Sequence, residues 1–426
     1  MDIKPILDSE RNLRGADYFL FWAGVAISLA EIWAGGFLAP MGFVLGLCAI
    51  LLGHTIGNTF LGLAGVIGAE HGITSMGSVR PSFGIRGANI AAVLNIIQLI
   101  GWASILLIIA GQAGAILGKN YGGIWASNRF WIILIGAGTL FWALYTGKTI
   151  WKIMQMVACV AMLLVIVMMT WIAFGKLDAG TTVSFGYSLH FMKGLDLVIA
   201  MPISFLPIIA DYSRFAKNTK SFFWNTWFGY LSISAWMYIL GLVATIVTGQ
   251  KDPSILMLNI LGSFGFAVPA LIMVVFSTVT SNFPDLYSAT CSMMNLSKKT
   301  NPKLFMWIVA VLTILVALVF PMGQYQNFLL IIGAMFIPLF GVIITDYFIL
   351  RKKVIHLLEI DRVNGAYWYS KGVNIYAVIS WAVGFVVYLY FSYVNEVFGG
   401  SLPSIFISGV LYFIFMKYAS KKVNKI

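Results

Sequence analysis

The sequence predicts an all-α integral membrane protein of about twelve transmembrane helices, ten of them forming two inverted five-helix repeats and two following as accessory helices. Three observations carry this prediction. First, 60% of the 426 residues are hydrophobic and only 10% charged, against about 25% charged in soluble domains. The apolar runs are long enough for spanning helices rather than barrel strands. Second, an even count of spans puts 22 of the 27 Lys and Arg on one side, and positive charge stays in the cytoplasm. Third, the first span of each proposed half is interrupted, as in transporters built from inverted repeats.

The spans fall at 17–39, 42–69, 88–117, 129–146, 150–175, 192–212, 222–248, 266–290, 303–320, 325–350, 371–391 and 398–417. They are numbered 1 to 12 below. The expected organisation is a cytoplasmic N-terminal segment (1–16), a first repeat (17–175) and a second repeat (192–350). A cytoplasmic connection (351–370), accessory helices (371–417) and a basic cytoplasmic tail (418–426) follow. A net charge of +12 sits in short connections, so it reads as a topology signal rather than a nucleic-acid surface. Cys48, Cys159 and Cys291 lie in apolar runs without metal-ligand spacing and read as small buried hydrophobes. No removable signal peptide is expected.

Span 1 contains GVAISLAEIWAGGFLAP (24–40). Glu31 is a carboxylate within an apolar run, which is expensive unless paired, hydrated or protonated. Gly35 and Gly36 follow it and weaken the helix. Either this helix is interrupted and lines a site, or the glycines make a helix contact and Glu31 is paired internally. In span 2, His54 and Asn58 read as helix-contact groups, with a proton role for His54 as the alternative. The connection at 70–87 is glycine-rich and cytoplasmic. Span 3 carries Gln98 and Trp102 four residues apart, hence on one face. A planar amide beside an indole suits a flat heteroaromatic ligand; bundle packing is the alternative.

Span 6 reads AMPISFLPIIAD (200–211). Pro202 and Pro207 remove backbone donors and break the helix, as expected for the counterpart of span 1. Asp211 and Arg214 at its end, and Asp346 at the end of span 10, lie among basic residues and predict a structural ion pair or gate. Span 8 reads FSTVTSNFPDLYSAT (276–290). Ser277, Thr280 and Ser281 share a face, with Thr278, Asn282 and Asp285 adding polarity. Such oxygens suit a hard cation, completed by carbonyls of a broken helix; they also serve as interhelical glue.

Three motifs in order resemble the nucleobase–cation symporters that include cytosine and hydantoin permeases: SFGIRG (82–87), ADYSRFAKN (210–218) and IPLFGVIITDYFILRKK (337–353). ISLAEIWAGGFLAPMGF, LLGHTIGN, LNIIQLIGWA and MPISFLPIIADYSRFA resemble the hydroxymethylpyrimidine permease branch more than the cytosine permeases. The resemblance implies a LeuT-like five-plus-five inverted repeat with broken helices 1 and 6. It implies alternating access and cation-coupled uptake of a planar base, with sodium as coupling ion and no other cofactor. Residue by residue, it implies that Trp102 stacks on the base, with Gln98 near the family's amide at a spacing one residue longer. Phe205, with Ser204, is the aromatic nearest the family's second stacking position, which itself falls on Pro202. Gly24 and Ser28 match positions whose carbonyls bind sodium, and Thr280 and Ser281 match its helix 8 ligands. Ser277 stands where cytosine permeases have asparagine, which implies altered base recognition. Cytosine permeases have no carboxylate at the Glu31 position, so Glu31 is expected to read the amine edge of an aminopyrimidine. A proton site or structural pair competes with that role.

The expected function is import of hydroxymethylpyrimidine by sodium symport, with a cytosine or other nucleobase permease, proton-coupled in one version, as the alternative. The expected partners are a pyrimidine and the bilayer of the cell membrane, with no nucleic acid and no obligate protein partner. A channel would need a carbonyl filter or charged ring, and an intramembrane enzyme would need HExxH, GxSxG or a carboxylate–His cluster. None of these motifs is present in the sequence.

Overall fold

The computed structural model describes residues 5–145, 148–177, 189–250, 252–261, 267–297 and 301–423. Within them, span 1 is two helices, Gly15–Val25 and Leu29–Gly36, and span 6 is two helices, Phe191–Ile203 and Ile209–Ser213. Each half is shorter than the roughly 20 residues that cross a bilayer, and the paired halves cross together. The continuous spans are Gly42–His71, Ala88–Gly118, Asn128–Tyr145, Lys148–Gly175, Thr219–Thr248, Ala267–Leu296, Pro302–Val319, Tyr325–Ile344, Ile375–Tyr393 and Ser401–Val423. Span 10 continues as a π-helical turn over Thr345–Leu350. Eight helical stretches among the described residues are long and apolar enough to cross a membrane. Span 8 runs a turn and a half beyond its expected end, because nothing in YSATCSMMNL breaks a helix until Ser297.

The packing shows the inverted repeat. Spans 1, 2, 6 and 7 form one bundle, in which span 1 packs on span 7 and span 6 on span 2. Spans 3, 4, 8 and 9 form a second group, in which span 4 packs on span 8 and span 9 on span 3. Exchanging each span for its counterpart five away in the other half turns one contact of each pair into the other, as a pseudo-twofold requires. The repeat extends to the connections: a short helix, Ser75–Phe83, follows span 2, and another, Pro253–Leu261, follows span 7. Spans 11 and 12 pack against each other and against span 10.

Span 2 ends at Gly72, whose φ of +68° is the left-handed geometry glycine supplies at a helix C-terminus. Thr74 then caps Ser75–Phe83 by accepting from Gly77 N at 3.1 Å. Asn218 starts span 7 in the same way, accepting from Ser221 N at 2.8 Å. These caps turn the chain sharply at the membrane edge, so the bundle helices stay adjacent.

The glycine pair of span 1 does not break the helix. Gly35 and Gly36 lie at the end of its second half, and the interruption is upstream at 26–28. A Cβ on Gly35 would stand 2.2 Å from the Tyr238 carbonyl oxygen, and one on Gly241 1.9 Å from that of Ile32. These glycines let spans 1 and 7 approach backbone to backbone, the close packing small residues permit in membranes.

Candidate functional site

The span 6 interruption faces span 3, and the second half of span 1 also packs on it. At 26–28 the chain leaves the helix in a turn, with Ile27 N donating to Gly24 O at 3.2 Å. Ser28 takes an extended conformation and restarts the helix, its Oγ accepting from Ala30 N at 3.2 Å. No proline drives this break; a serine that prefers the N-cap does. In span 6, Pro202 lies inside the first half-helix, and residues 204–208, which include Pro207, form consecutive turns. Ser204 turns its hydroxyl onto Met201 O at 2.6 Å, leaving its carbonyl for another helix.

That carbonyl is taken by Gln98, whose Nε2 donates to Ser204 O at 2.8 Å and to Asn95 Oδ1 at 2.9 Å. Asn95 Nδ2 in turn donates to Ser292 Oγ on span 8 at 2.8 Å. A buried polar chain therefore runs from span 8 through span 3 to the break in span 6. Both amide protons of Gln98 are used within the protein, while Gln98 Oε1 is buried without a protein partner. Buried acceptors are normally paired, so this oxygen is the open end of the chain.

One turn along span 3, Trp102 is half-buried. Its ring meets Tyr325 edge-on, centroids 6.1 Å apart, and Phe328 at 5.3 Å. Tyr325 donates from its hydroxyl to Ala30 O at 3.0 Å and packs on Trp33 at 4.6 Å. Span 10 thus holds the second half of span 1 beside Trp102. A second aromatic group gathers where the breaks meet. Phe205 lies 5.4 Å from Trp22 and 5.5 Å from Tyr230, each contact edge-on.

The structure brings Gln98 to Ser204 and Phe205 to the first half of span 1. Glu31 goes elsewhere. It is buried, it accepts from the Tyr230 hydroxyl at 2.8 Å through Oε1, and it faces span 7 on the same side as Gly35. Ser277 is half-buried on span 8, while the side chains of Thr280 and Ser281 lie outside the described residues. Asn282 is buried and donates to Ala103 O of span 3 at 3.3 Å. Trp22, Asn95, Tyr230, Ser292 and Tyr325 escaped the sequence reading. Asn95 alone had a usable signal, since it precedes Gln98 by three residues and shares its face.

At the end of span 10, Asp346 forms an ion pair with Arg351 Nε at 2.6 Å. It also accepts from Ser82 Oγ at 3.0 Å and Tyr412 hydroxyl at 2.8 Å. Asp211 finds a partner not legible beforehand. Its Oδ1 accepts from Ser75 N at 3.0 Å, at the start of Ser75–Phe83, and its own N–H donates to Ser75 Oγ at 3.1 Å. A carboxylate there is favoured by the unpaired N–H groups of a helix start. The Arg214 guanidinium lies over the Phe215 ring at 5.0 Å. Arg80 pairs with Asp361, tying Ser75–Phe83 to the 351–370 connection.

Broken first helices in two inverted repeats, the second of them held to an amide on span 3, fit a membrane transporter. The family can be stated as well. Residues 5–412 match the family described as permease for cytosine/purines, uracil, thiamine, allantoin, and the chain belongs to it. The chain is 24% identical to the putative purine-cytosine permease YxlA of Bacillus subtilis, over 99% of this chain and 96% of that protein. It is 25% identical to the cytosine permease of Escherichia coli K12, over 91% and 89%. The inward-facing structure of Mhp1 superposes with a TM-score of 0.85 at 23% identity, covering 98% of this chain and 93% of that one.

Proposed function

We propose that this permease imports a planar aminopyrimidine across the cell membrane by sodium symport, with hydroxymethylpyrimidine as first substrate. The observation that carries this is the Gln98 amide: its donors are spent and its buried Oε1 remains, one helical turn from Trp102. An exocyclic amine supplies the donor that Oε1 lacks, and a flat ring suits the indole face. Trp102, Gln98, Ser204, Phe205 and Ser277 form the substrate set in this reading. Gly24, Ser28, Ser277, Thr280 and Ser281 form the sodium set. Glu31 is assigned outside both. The excess of Lys and Arg on the side of both termini supports a cytoplasmic location for them.

Cytosine is the second reading, favoured by the cytosine and purine-cytosine permeases among the relatives. It carries the same amine, so Gln98 serves it equally. Each sodium ion moved inward gains about 2.3 kcal/mol per 100 mV, roughly fiftyfold in accumulation. Thermal shift of the purified protein with both pyrimidines, with and without sodium, tests the reading through linkage. Stabilisation by a pyrimidine that deepens in sodium supports it; no stabilisation by either pyrimidine overturns it.

A further inference from the structure

We propose that a buried cavity at the centre of the second helix group binds one water molecule, and that this water ties spans 4, 8 and 9 together. The site shares no residue with the substrate and sodium sets, and the inference does not rest on them.

The cavity straddles the axis that relates the two repeats. Its lining residues fall into matched pairs. Thr139 of span 4 and Thr313 of span 9 each stand eleven residues after the first residue of their helices, Asn128 and Pro302. Ala103 of span 3 and Asn282 of span 8 each stand fifteen residues after theirs, Ala88 and Ala267. Gly136 and Ala310 match in the same way, and so do the two leucines that complete the wall. The backbone symmetry is not repeated in the chemistry. An amide on span 8 is matched by a methyl on span 3, which leaves open the space that a second amide would fill. The cavity offers about 10 Å³ to water-sized molecules, enough for a single water.

The hydrogen bonds around the cavity leave a defined deficit. Asn282, Thr139 and Thr313 are each at most 3% exposed, so bulk solvent does not reach them. Asn282 Nδ2 donates to Ala103 O at 3.3 Å. That contact fixes which end of the amide is nitrogen, because a carbonyl only accepts. Asn282 Oδ1 is then an acceptor, buried without a protein partner. Thr313 Oγ1 is also buried without a partner. Thr139 spends its hydrogen on Ile135 O at 2.9 Å and can still accept. The surplus is therefore two acceptors, Asn282 Oδ1 and Thr139 Oγ1, and one donor, the Thr313 hydroxyl.

One water balances this set. It donates to Asn282 Oδ1 and Thr139 Oγ1 and accepts from Thr313 Oγ1. Three bonds are what a buried water typically makes, whereas cavities that stay dry are apolar. A hard cation fits less well. It takes six or more oxygens, and the lining side chains supply three, none of them charged. Span 3 is already bonded to its neighbours here, to span 8 through Ala103 O and to span 9 through Ser104 Oγ, which donates to Thr313 O at 2.9 Å. The water adds span 4 and closes the group around its axis.

The test is a high-resolution cryo-EM map of the purified full-length transporter, collected in sodium buffer and again in choline buffer, with melting curves of the same samples. One density within hydrogen-bond distance of Asn282 Oδ1, Thr139 Oγ1 and Thr313 Oγ1 is expected in both buffers. Thr313→Val keeps the shape and removes the hydroxyl. It is expected to lose that density and to melt a few degrees below the parent, whereas Thr313→Ser keeps the density. In a dry cavity the Thr313 hydroxyl is only a cost, so its removal raises the melting point. An empty cavity in the parent map overturns the site, even if Thr313→Val fails to fold. Density that needs sodium overturns water as the ligand. A Thr313→Val melting point at or above that of the parent overturns the tie.

Discussion

Gln98→Leu tests the polar chain that holds span 6 to span 3. Leucine approximates the volume of glutamine and donates no hydrogen bond. Two acceptors are then stranded, Ser204 O and Asn95 Oδ1, which Gln98 Nε2 reaches at 2.8 and 2.9 Å. Asn95 and Gln98 are wholly buried and Ser204 nearly so, so water does not replace the lost donors. Each buried acceptor left unpaired costs about 1–3 kcal/mol. Hydrogen bonds between membrane helices average nearer about 0.6 kcal/mol, because the unfolded chain in the membrane also finds partners. The sum for two bonds is therefore about 1–6 kcal/mol. Thermal melting of parent and variant in one detergent measures it, and a fall of several degrees is expected. Pyrimidine affinity should fall as well, by about tenfold if the lost contact to Oε1 is worth about 1.4 kcal/mol. A melting curve superimposable on that of the parent refutes the chain. A lower melting point with unchanged affinity keeps the chain and refutes Oε1 as a ligand group.

Other positions give independent outcomes. Trp102→Ala should weaken pyrimidine binding roughly two- to twelvefold, the worth of about 0.5–1.5 kcal/mol for an aromatic pair, as read by equilibrium binding. Asp346→Ala leaves Arg351 without its buried partner and also strips Tyr412 and Ser82 of an acceptor; about 3–5 kcal/mol of lost stability is expected, and a smaller loss in the double variant with Arg351→Met. Gly241→Ala sets a methyl 1.9 Å from Ile32 O and should destabilise by at least about 1–3 kcal/mol, whereas Ala at Gly138, where nothing lies within 4 Å, should be neutral in the same melting assay.

Most of the architecture was legible in the sequence because hydropathy and charge act over whole spans. Runs of about 20 apolar residues and the skew of Lys and Arg fixed the number of spans. The matching interruption in span 6 was announced by two prolines. The break in span 1 was misplaced, since adjacent glycines signal either a weak helix or a close approach, and only the position of span 7 tells which. Ser28, which makes the break, looked like any other residue of the run. Asp346 and Arg351 lie close in sequence, so their pairing was readable. The Asp211 contact spans 136 residues and depends on a helix N-terminus that no local pattern aims at span 6. Gln98 stands out in the sequence as an amide inside a span. Its use as a clamp on Ser204 required the fold. Glu31 stood out for its charge, yet its partner Tyr230 lies on span 7, beyond the reach of any pattern within span 1.

Counterflow tests the central claim most directly. Proteoliposomes loaded with unlabelled hydroxymethylpyrimidine or cytosine are diluted into labelled pyrimidine, with sodium on both sides or absent. Transient accumulation of label that requires the protein, sodium and an aminopyrimidine inside is the predicted result. Equal uptake without sodium contradicts the coupling, and no counterflow with either pyrimidine contradicts the account of the site.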